Sequence, residues 1–394
     1  MPWPDSRRMD PVTHILTGAC LSRSGLNRRA AYATLTMAIA AEFPDIDVLW
    51  SVKGSVAAFQ HHRGITHTLI GLPVEAGLIL SGVYALHRFR VYRARAAASK
   101  GISGKPRPLT QAPVRWDLLF GFTLLALLSH LLLDYTNNYG IRPFFPFNPR
   151  WYEGAFVFVF DPFFFFFLLM AFAMPPLFAL VSSEVGARRQ RFRGRGWATA
   201  SLLCVVGWWS LRAFEHARAV QLTQAQTMAI TPPGAPSDTP AQYTQPLRVL
   251  ANPDPFNPFL WHTVSDFGLF YQLADANMLS GSLTPAQEIH ARPEPTPALV
   301  AAQNTPLGRV YMDWSPMPFI TESRPGDFSR GAAVDSGSAE RSSSANTVIT
   351  FRDPRFIIDL PWLRSSSDTP LTGTVELDPQ NHLVREGMGG RMQR

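Results

Sequence analysis

The sequence predicts a mainly α protein, a polytopic helical membrane domain followed by a C-terminal extracytoplasmic β-rich domain, and three observations carry that expectation. The 394 residues are 46% hydrophobic, yet mean hydropathy is zero, which points to two unlike regions being averaged. Long apolar runs, Leu118 to Leu133 and Ala155 to Val181, all lie before about residue 216, and the chain after about residue 220 is polar and rich in Pro and Ser. The basic residues cluster beside the apolar runs, as they do in the cytoplasmic loops of inner-membrane proteins.

A span needs about 20 apolar residues, and Thr66 to Leu86, Asp117 to Tyr135, Ala155 to Val181 and Trp197 to Phe214 approach that length. Two shorter apolar stretches precede them, Pro11 to Leu21 and Ala30 to Phe43, separated by a polar break containing Gly25. They read as an antiparallel helical hairpin that brings His14 and Asp45 to the same end. The Phe run from Phe163 to Phe167 reads as lipid-facing or packing bulk.

The net charge of +7 raises nucleic-acid binding, but the distribution argues against it. Arg88, Arg90, Arg93, Arg95, Lys100, Lys105 and Arg107 fill one connection, and Arg188, Arg189, Arg191, Arg193 and Arg195 another. Neither interleaves aromatics as single-strand binding requires. Both therefore read as cytoplasmic loops, which places the opposite helix ends and everything after the last span outside the cytoplasm. Cys20 and Cys204 fall inside predicted helices and imply neither a disulfide framework nor a thiolate metal site. Residues Met1 to Asp10 lack the apolar core of a removable signal peptide.

From Thr231 to Pro258 the chain reads as a Pro-rich linker. Beyond it, Arg309 to Trp314, Thr347 to Phe351, Phe356 to Leu360 and Gly373 to Leu377 read as short strands. Asp335 to Asn346 reads as a loop of small residues.

Four clusters put ligand-type groups into otherwise apolar surroundings: His14; Pro44-Asp45-Ile46-Asp47; His61-His62-Arg63-Gly64-Ile65-Thr66-His67; and His130 with Asp134. His130 and Asp134 are four apart and share a helix face. An ionisable pair inside a membrane helix is expensive enough to mark function, the bland alternative being an interhelical hydrogen bond. Asp45 and Asp47 flank Ile46 after Pro44 and could face one cation, or end a helix as two solvated acids. His62 and His67 offer imidazoles beside Arg63, whose fork suits phosphate, whereas His61 reads as a spare solvated ring. Imidazole with carboxylate suits zinc or another divalent transition metal. Seven candidate ligands (His14, Asp45, Asp47, His62, His67, His130 and Asp134) exceed the needs of one tetrahedral ion, so the expectation is a divalent metal site of one to three ions, zinc first and manganese as the alternative. Asp161 reads as a helix cap or an additional site residue. Glu75 reads as a partner of a group that holds a ligand.

The order His14, Pro44-Asp45-Ile46-Asp47, His62-Arg63-Gly64-Ile65-Thr66-His67, Ser129-His130 and Asp134 resembles the YdjM-type family of membrane-bound metal-dependent hydrolases over about residues 10–180. That family is distantly similar to zinc-dependent phospholipase C. The resemblance implies hydrolysis of an ester or phosphoester of a lipid or lipid-linked substrate by a metal-activated water in the bacterial inner membrane. Asp45, Arg63 and Asp134 are the expected catalytic residues: one carboxylate as general base, Arg63 as the phosphate or oxyanion contact. The expected domains are 1–216, helical transmembrane metal hydrolase; 217–258, linker; and 259–394, small soluble β-rich domain. The rival readings are a divalent-metal transporter or sensor and a non-catalytic membrane anchor. The first would need polar residues continuing to the cytoplasmic side, where the helices are apolar.

Overall fold

The computed structural model describes residues 11–99, 112–184, 194–230, 242–284, 288–324, 346–357 and 371–393. The predicted hairpin forms from α1 (Pro11–Arg23) and α2 (Ala33–Ala40). Their backbones touch at Gly18, where a Cβ would lie 2.2 Å from the Met37 carbonyl oxygen, so only glycine permits the close packing. A 3-10 segment, Phe43–Lys53, follows with Pro44 in its first turn, and α3 (Ser55–His61) and a short 3-10 turn, Ile65–His67, lead into α4 (Leu72–Ser99).

Among the described residues, two helices are long and apolar enough to cross a membrane: α5 (Trp116–Thr136) and α6 (Pro162–Glu184) over its Pro162–Leu180 portion. The Ser55–His67 segment and α4, bent by 85° at their junction, form a third span if the pair counts as one broken crossing. The expected span at Thr66 therefore starts with a bend, and the one at Ala155 starts only at Pro162. The fourth expected span lies inside α7 (Arg195–Gln224), which is long enough but whose Trp208, Trp209, Ser210 and Arg212 lower its apolarity. In the Phe run, Phe164 is buried while Phe163 and Phe166 are exposed, so it both packs and faces outward.

Arg88, Arg90, Arg93 and Arg95 lie in the later turns of α4, and Arg195 starts α7. Lys100, Lys105, Arg107 and Arg188 through Arg193 lie outside the described residues. So does most of the expected loop Asp335 to Asn346.

The segment expected as a linker holds the end of α7 and strands β1 (Met228–Ile230), β2 (Gln242–Thr244) and β3 (Arg248–Pro253); residues 231–241 lie outside the described set. β3 pairs with β4 (Leu260–Asp266), which pairs with β5 (Phe270–Asn277); β6 (Ser282–Leu283) and β7 (Glu288–Ala291) both add to β5, all antiparallel. A second sheet is an antiparallel meander of β8 (Phe319–Ser323), β9 (Thr347–Arg352), β10 (Gly373–Leu377), β11 (Leu383–Met388) and β12 (Arg391–Gln393). Strands appear as expected at Thr347 and Gly373. Arg309 to Trp314 is instead helical, within α9 (Pro306–Trp314), which follows α8 (Pro297–Gln303). Thr305 caps α9 by accepting the Gly308 N–H, and Pro306 fits its first turn. Of Phe356 to Leu360, the described part closes a 3-10 turn, Pro354–Phe356.

The β-rich part packs directly on the helical part. Val56 and Phe59 of α3 and Tyr139 after α5 share one core with Leu299, Tyr311, Trp314 and Phe351. The Ser55 hydroxyl donates to the Arg391 carbonyl and accepts the Met388 N–H. Trp314 Nε1 donates to the Tyr139 carbonyl at 3.1 Å. Arg355 is bound by Asp353 and Glu153, and burial pushes the Glu153 carboxyl up despite the guanidinium beside it. The other sheet grips the end of α7, where Arg212 lies 4.4 Å over the Trp261 ring.

Candidate metal centre

The bend between α3 and α4 is built by the residues His62 to Thr68. Arg63 adopts a left-handed backbone (φ 53°), an unusual state for a residue with a side chain, and its N–H donates to Asp47 Oδ2 at 2.7 Å. Gly64 follows because a Cβ there would sit 2.8 Å from the His61 carbonyl oxygen. The tight turn aims His67 inward, toward the last turns of α5.

There Asp45, His67, His130 and Asp134 each present one donor atom, and these four atoms lie within 4.8 Å of one another. His67 Nε2 is 3.1 Å from His130 Nε2, 3.3 Å from Asp45 Oδ1 and 3.2 Å from Asp134 Oδ2. His130 Nε2 is 3.6 Å from Asp45 Oδ1 and 3.5 Å from Asp134 Oδ2. Ligands about 2.0–2.1 Å from a tetrahedral zinc stand roughly 3.3 Å apart. These five separations bracket that value.

The tautomers fit as well. His130 Nδ1 donates to the Ala41 carbonyl at 2.7 Å, which leaves its Nε2 lone pair facing the cluster, the usual way a ligating histidine is oriented. His67 Nδ1 lies 3.1 Å from Thr66 Oγ1 and 3.6 Å from Asp47 Oδ2, oxygens able to take its proton when Nε2 serves as a ligand. Asp45 Oδ1 and both Asp134 carboxylate oxygens are buried and accept no well-aligned hydrogen bond. Lone pairs of two imidazoles and two carboxylates converging on one buried spot repel unless a cation joins them. The donor set fits a divalent ion.

The remaining expected ligands surround this group. His14 lies 3.5 Å from Asp134 Oδ1 through Nε2 and packs on the His130 ring with centroids 4.1 Å apart, so the α1–α2 hairpin does bring His14 and Asp45 together. Asp47 sits on the opposite side of His67 and also approaches His62 at 3.4 Å. Two positions apart on a 3-10 helix point about 120° apart, which is why Asp45 and Asp47 diverge instead of facing one cation. His61 stacks on Trp50 at 3.9 Å.

Arg63, expected as the phosphate or oxyanion contact, is fully buried. Its Nε is 3.1 Å from Asp134 Oδ2, and its Nη1 donates to Asn137 Oδ1 and to the Gly140 carbonyl. Its guanidinium lies 4.7 Å over the Tyr139 ring. Asp161 accepts the Phe163 and Phe164 N–H groups and the Trp208 indole N–H; it caps α6. Glu75 is buried on α4, and its Oε2 makes no hydrogen bond. The Ala41 carbonyl, Asn137 and Tyr139 were not expected. The polar run Thr136-Asn137-Asn138-Tyr139 after an apolar helix was the one signal that could have marked the last two.

With this geometry in hand, the matches to known proteins take on meaning. The chain belongs to the YdjM inner membrane protein family, whose model matches residues 9–219. That match includes every donor above and ends inside α7, before the β-rich part. The chain is also similar to the uncharacterized protein YfhP of Bacillus subtilis (strain 168), 26% identical over 174 residues, 42% of this chain and 46% of that protein. The match thus spans less than half of that relative. No solved structure matches the chain. Family membership and the apolar helices establish a membrane protein with a group of Asp and His residues able to bind a metal ion.

Proposed function

We propose that this YdjM-family protein is a membrane-bound, metal-dependent hydrolase that cleaves an ester or phosphoester of a lipid or lipid-linked substrate. The observation that carries the reading is the convergence of His67, His130, Asp45 and Asp134 donor atoms on one spot, with the His130 ring oriented by its outer hydrogen bond to the Ala41 carbonyl.

A divalent ion held there, zinc or manganese, would supply Lewis acidity and lower the pKa of water at the site. Three of the donors, His67, His130 and Asp134, have completely buried side chains, whereas Asp45 is 18% exposed. A catalytic site keeps one side of its ion open, and Asp45 is on that side. His67, His130 and Asp134 would then hold the ion, and Asp45 is the general base, accepting the proton of the attacking water at its carboxylate. Asp134 is clamped by Arg63 and acts as an anchor, so Arg63 is a positioning residue here. One ion accounts for the geometry, because only one group of three or more donors is found among the described residues.

Transport is the weaker reading. Toward the other end of α5 the buried side chains are Leu119, Thr123, Ala126 and Leu127, and Thr123 is occupied by the Leu119 carbonyl, so no ladder of ligands continues across the helix. Arg88, Arg90, Arg93 and Arg95 lie in the later turns of α4, away from the His67 turn that precedes this helix, which supports an extracytoplasmic site.

The test is metal content by mass spectrometry on detergent-purified protein, together with hydrolysis of phospholipid and lipid-linked phosphoesters. Stoichiometric zinc or manganese, lost in a His67→Ala, His130→Ala variant, with turnover lost in Asp45→Asn, supports the reading. A folded, metal-resupplied protein that binds no metal sinks it.

A further inference from the structure

Asp45, the one donor of the cluster with an exposed side chain, opens onto a groove of about 480 Å³ lined by Ile15 of α1, Leu35, Ala38 and Ile39 of α2, and Phe43 and Ile46 of the 3-10 segment, with Glu42 and Asp45 as its polar members. That volume falls in the roughly 300–1,000 Å³ range of small-molecule sites. A second cavity beside the cluster, at His14 and Asp161, has only about 30 Å³, enough for about one water. Of these two approaches, only the first admits a substrate.

The walls of the groove are apolar and open outward. Ile15, Leu35, Ile39 and Ile46 are all more than a third exposed, and Leu49 and Val52 of the same 3-10 segment as Ile46 are exposed as well. Exposed apolar surface of this extent marks contact with lipid or with another apolar partner, and the chain belongs to an inner-membrane family. The groove thus has an exposed apolar side and, at its other side, the candidate metal donor Asp45. An apolar channel with a polar end fits an amphipathic molecule.

We propose that this groove holds the hydrocarbon chain of a membrane lipid substrate, which enters sideways from the bilayer and brings its phosphoester to the candidate metal cluster behind Asp45. The inference rests on the hydrolase reading and assigns its substrate class: a phosphoester bearing at least one long alkyl or isoprenoid chain. Leu35, Ala38 and Ile39, side by side on α2, then set how the chain lies.

The test uses the full chain in lipid nanodiscs and a dodecyl phosphate carrying a terminal diazirine. After illumination, peptide mass spectrometry should find label concentrated at Ile15, Leu35 and Ile39. Unlabelled dodecyl phosphate should compete and inorganic phosphate should not, with competition weakening roughly two- to fourfold for each methylene removed. Ala38→Trp and Leu35→Trp, each retaining bound metal as evidence of folding, should lose the groove label. Label spread evenly over the exposed apolar surface, as much at Val52 and Leu78 as at Ile39, or label unchanged in both Trp variants, overturns the proposal. Label confined to the groove, with no chain-bearing phosphoester hydrolysed, upholds the groove and overturns the hydrolase reading instead.

Discussion

Arg63 and Asp134 form a completely buried ion pair, Nε to Oδ2 at 3.1 Å, and the same guanidinium rests on the Tyr139 ring. The carboxylate therefore faces the metal-binding cluster on one side and a fixed cation on the other. Removing one partner of such a pair leaves a buried charge uncompensated, at a cost on the order of 3–5 kcal/mol. Arg63→Ala is expected to lower thermal stability strongly and to abolish metal retention. Arg63→Lys should fold better yet still bind metal more weakly, since an ammonium cannot reproduce the contacts to Asp134, Asn137 and Gly140 together. Differential scanning fluorimetry with metal titration checks both.

Asp47 is expected to tune the metal without holding it. It orients His67 and the Arg63 backbone, and outer groups of this kind are worth about 10–100-fold in metal affinity. Asp47→Asn should weaken zinc binding by about that factor, while His67→Ala or His130→Ala should eliminate it. Equal loss in all three variants, measured by competition with a chelating dye, would make Asp47 a ligand.

Asp45→Asn separates the roles of ligand and base. Its predicted signature is a kcat lowered by about 10²–10⁴-fold with bound metal largely retained by His67, His130 and Asp134. A variant that keeps full turnover would assign the proton to another group.

Trp314 couples the β-rich part to the site, since its indole N–H holds the Tyr139 carbonyl and Tyr139 carries Arg63. Trp314→Ala removes a buried aromatic, which costs about 3–5 kcal/mol. It should also reduce metal affinity, whereas a truncation of a similarly buried residue remote from Tyr139, Trp261→Ala, should cost stability without that reduction. Comparing unfolding and metal titration in the two variants decides the point.

Stability of the β-rich part should fall at high pH. Burial alone would lower the His262 pKa, but Asp254 and Asp275 bind both ring nitrogens and raise it to about 9. A folded pKa above the unfolded value of about 6.5 means the contribution is complete below about pH 6.5 and is lost as pH rises through about 9. Melting temperature should decline across that window in the wild type and decline less in His262→Asn.

The pattern of ligand-type residues was readable because imidazoles and carboxylates are conspicuous inside apolar helices. His130 and Asp134 needed only helical spacing to be paired, and the hairpin argument sufficed to bring His14 near Asp45. What spacing could not distinguish was which donors meet. Asp45 and Asp47 look equivalent in sequence, but the 3-10 geometry turns one toward His130 and the other toward His62. The spacing around Arg63 also gave no sign that the left-handed turn at that residue buries it against Asp134. Arg309 to Trp314 alternates like a strand, yet the Thr305 cap and Pro306 start a helix that strand periodicity does not detect.

By itself the sequence determined the membrane character, the division into apolar and polar halves, the family and the candidate ligands, because hydropathy and residue chemistry are local properties. Tertiary structure alone decided which four donors converge, that Asp45 alone of them stays partly exposed, and that the β-rich part packs against α3, just before the turn carrying His62 and His67. Those outcomes depend on directions in space, set by a bent span, a glycine that admits a carbonyl and a core that joins Phe59 to residues as distant in the chain as Tyr311 and Met388, and no linear spacing encodes them.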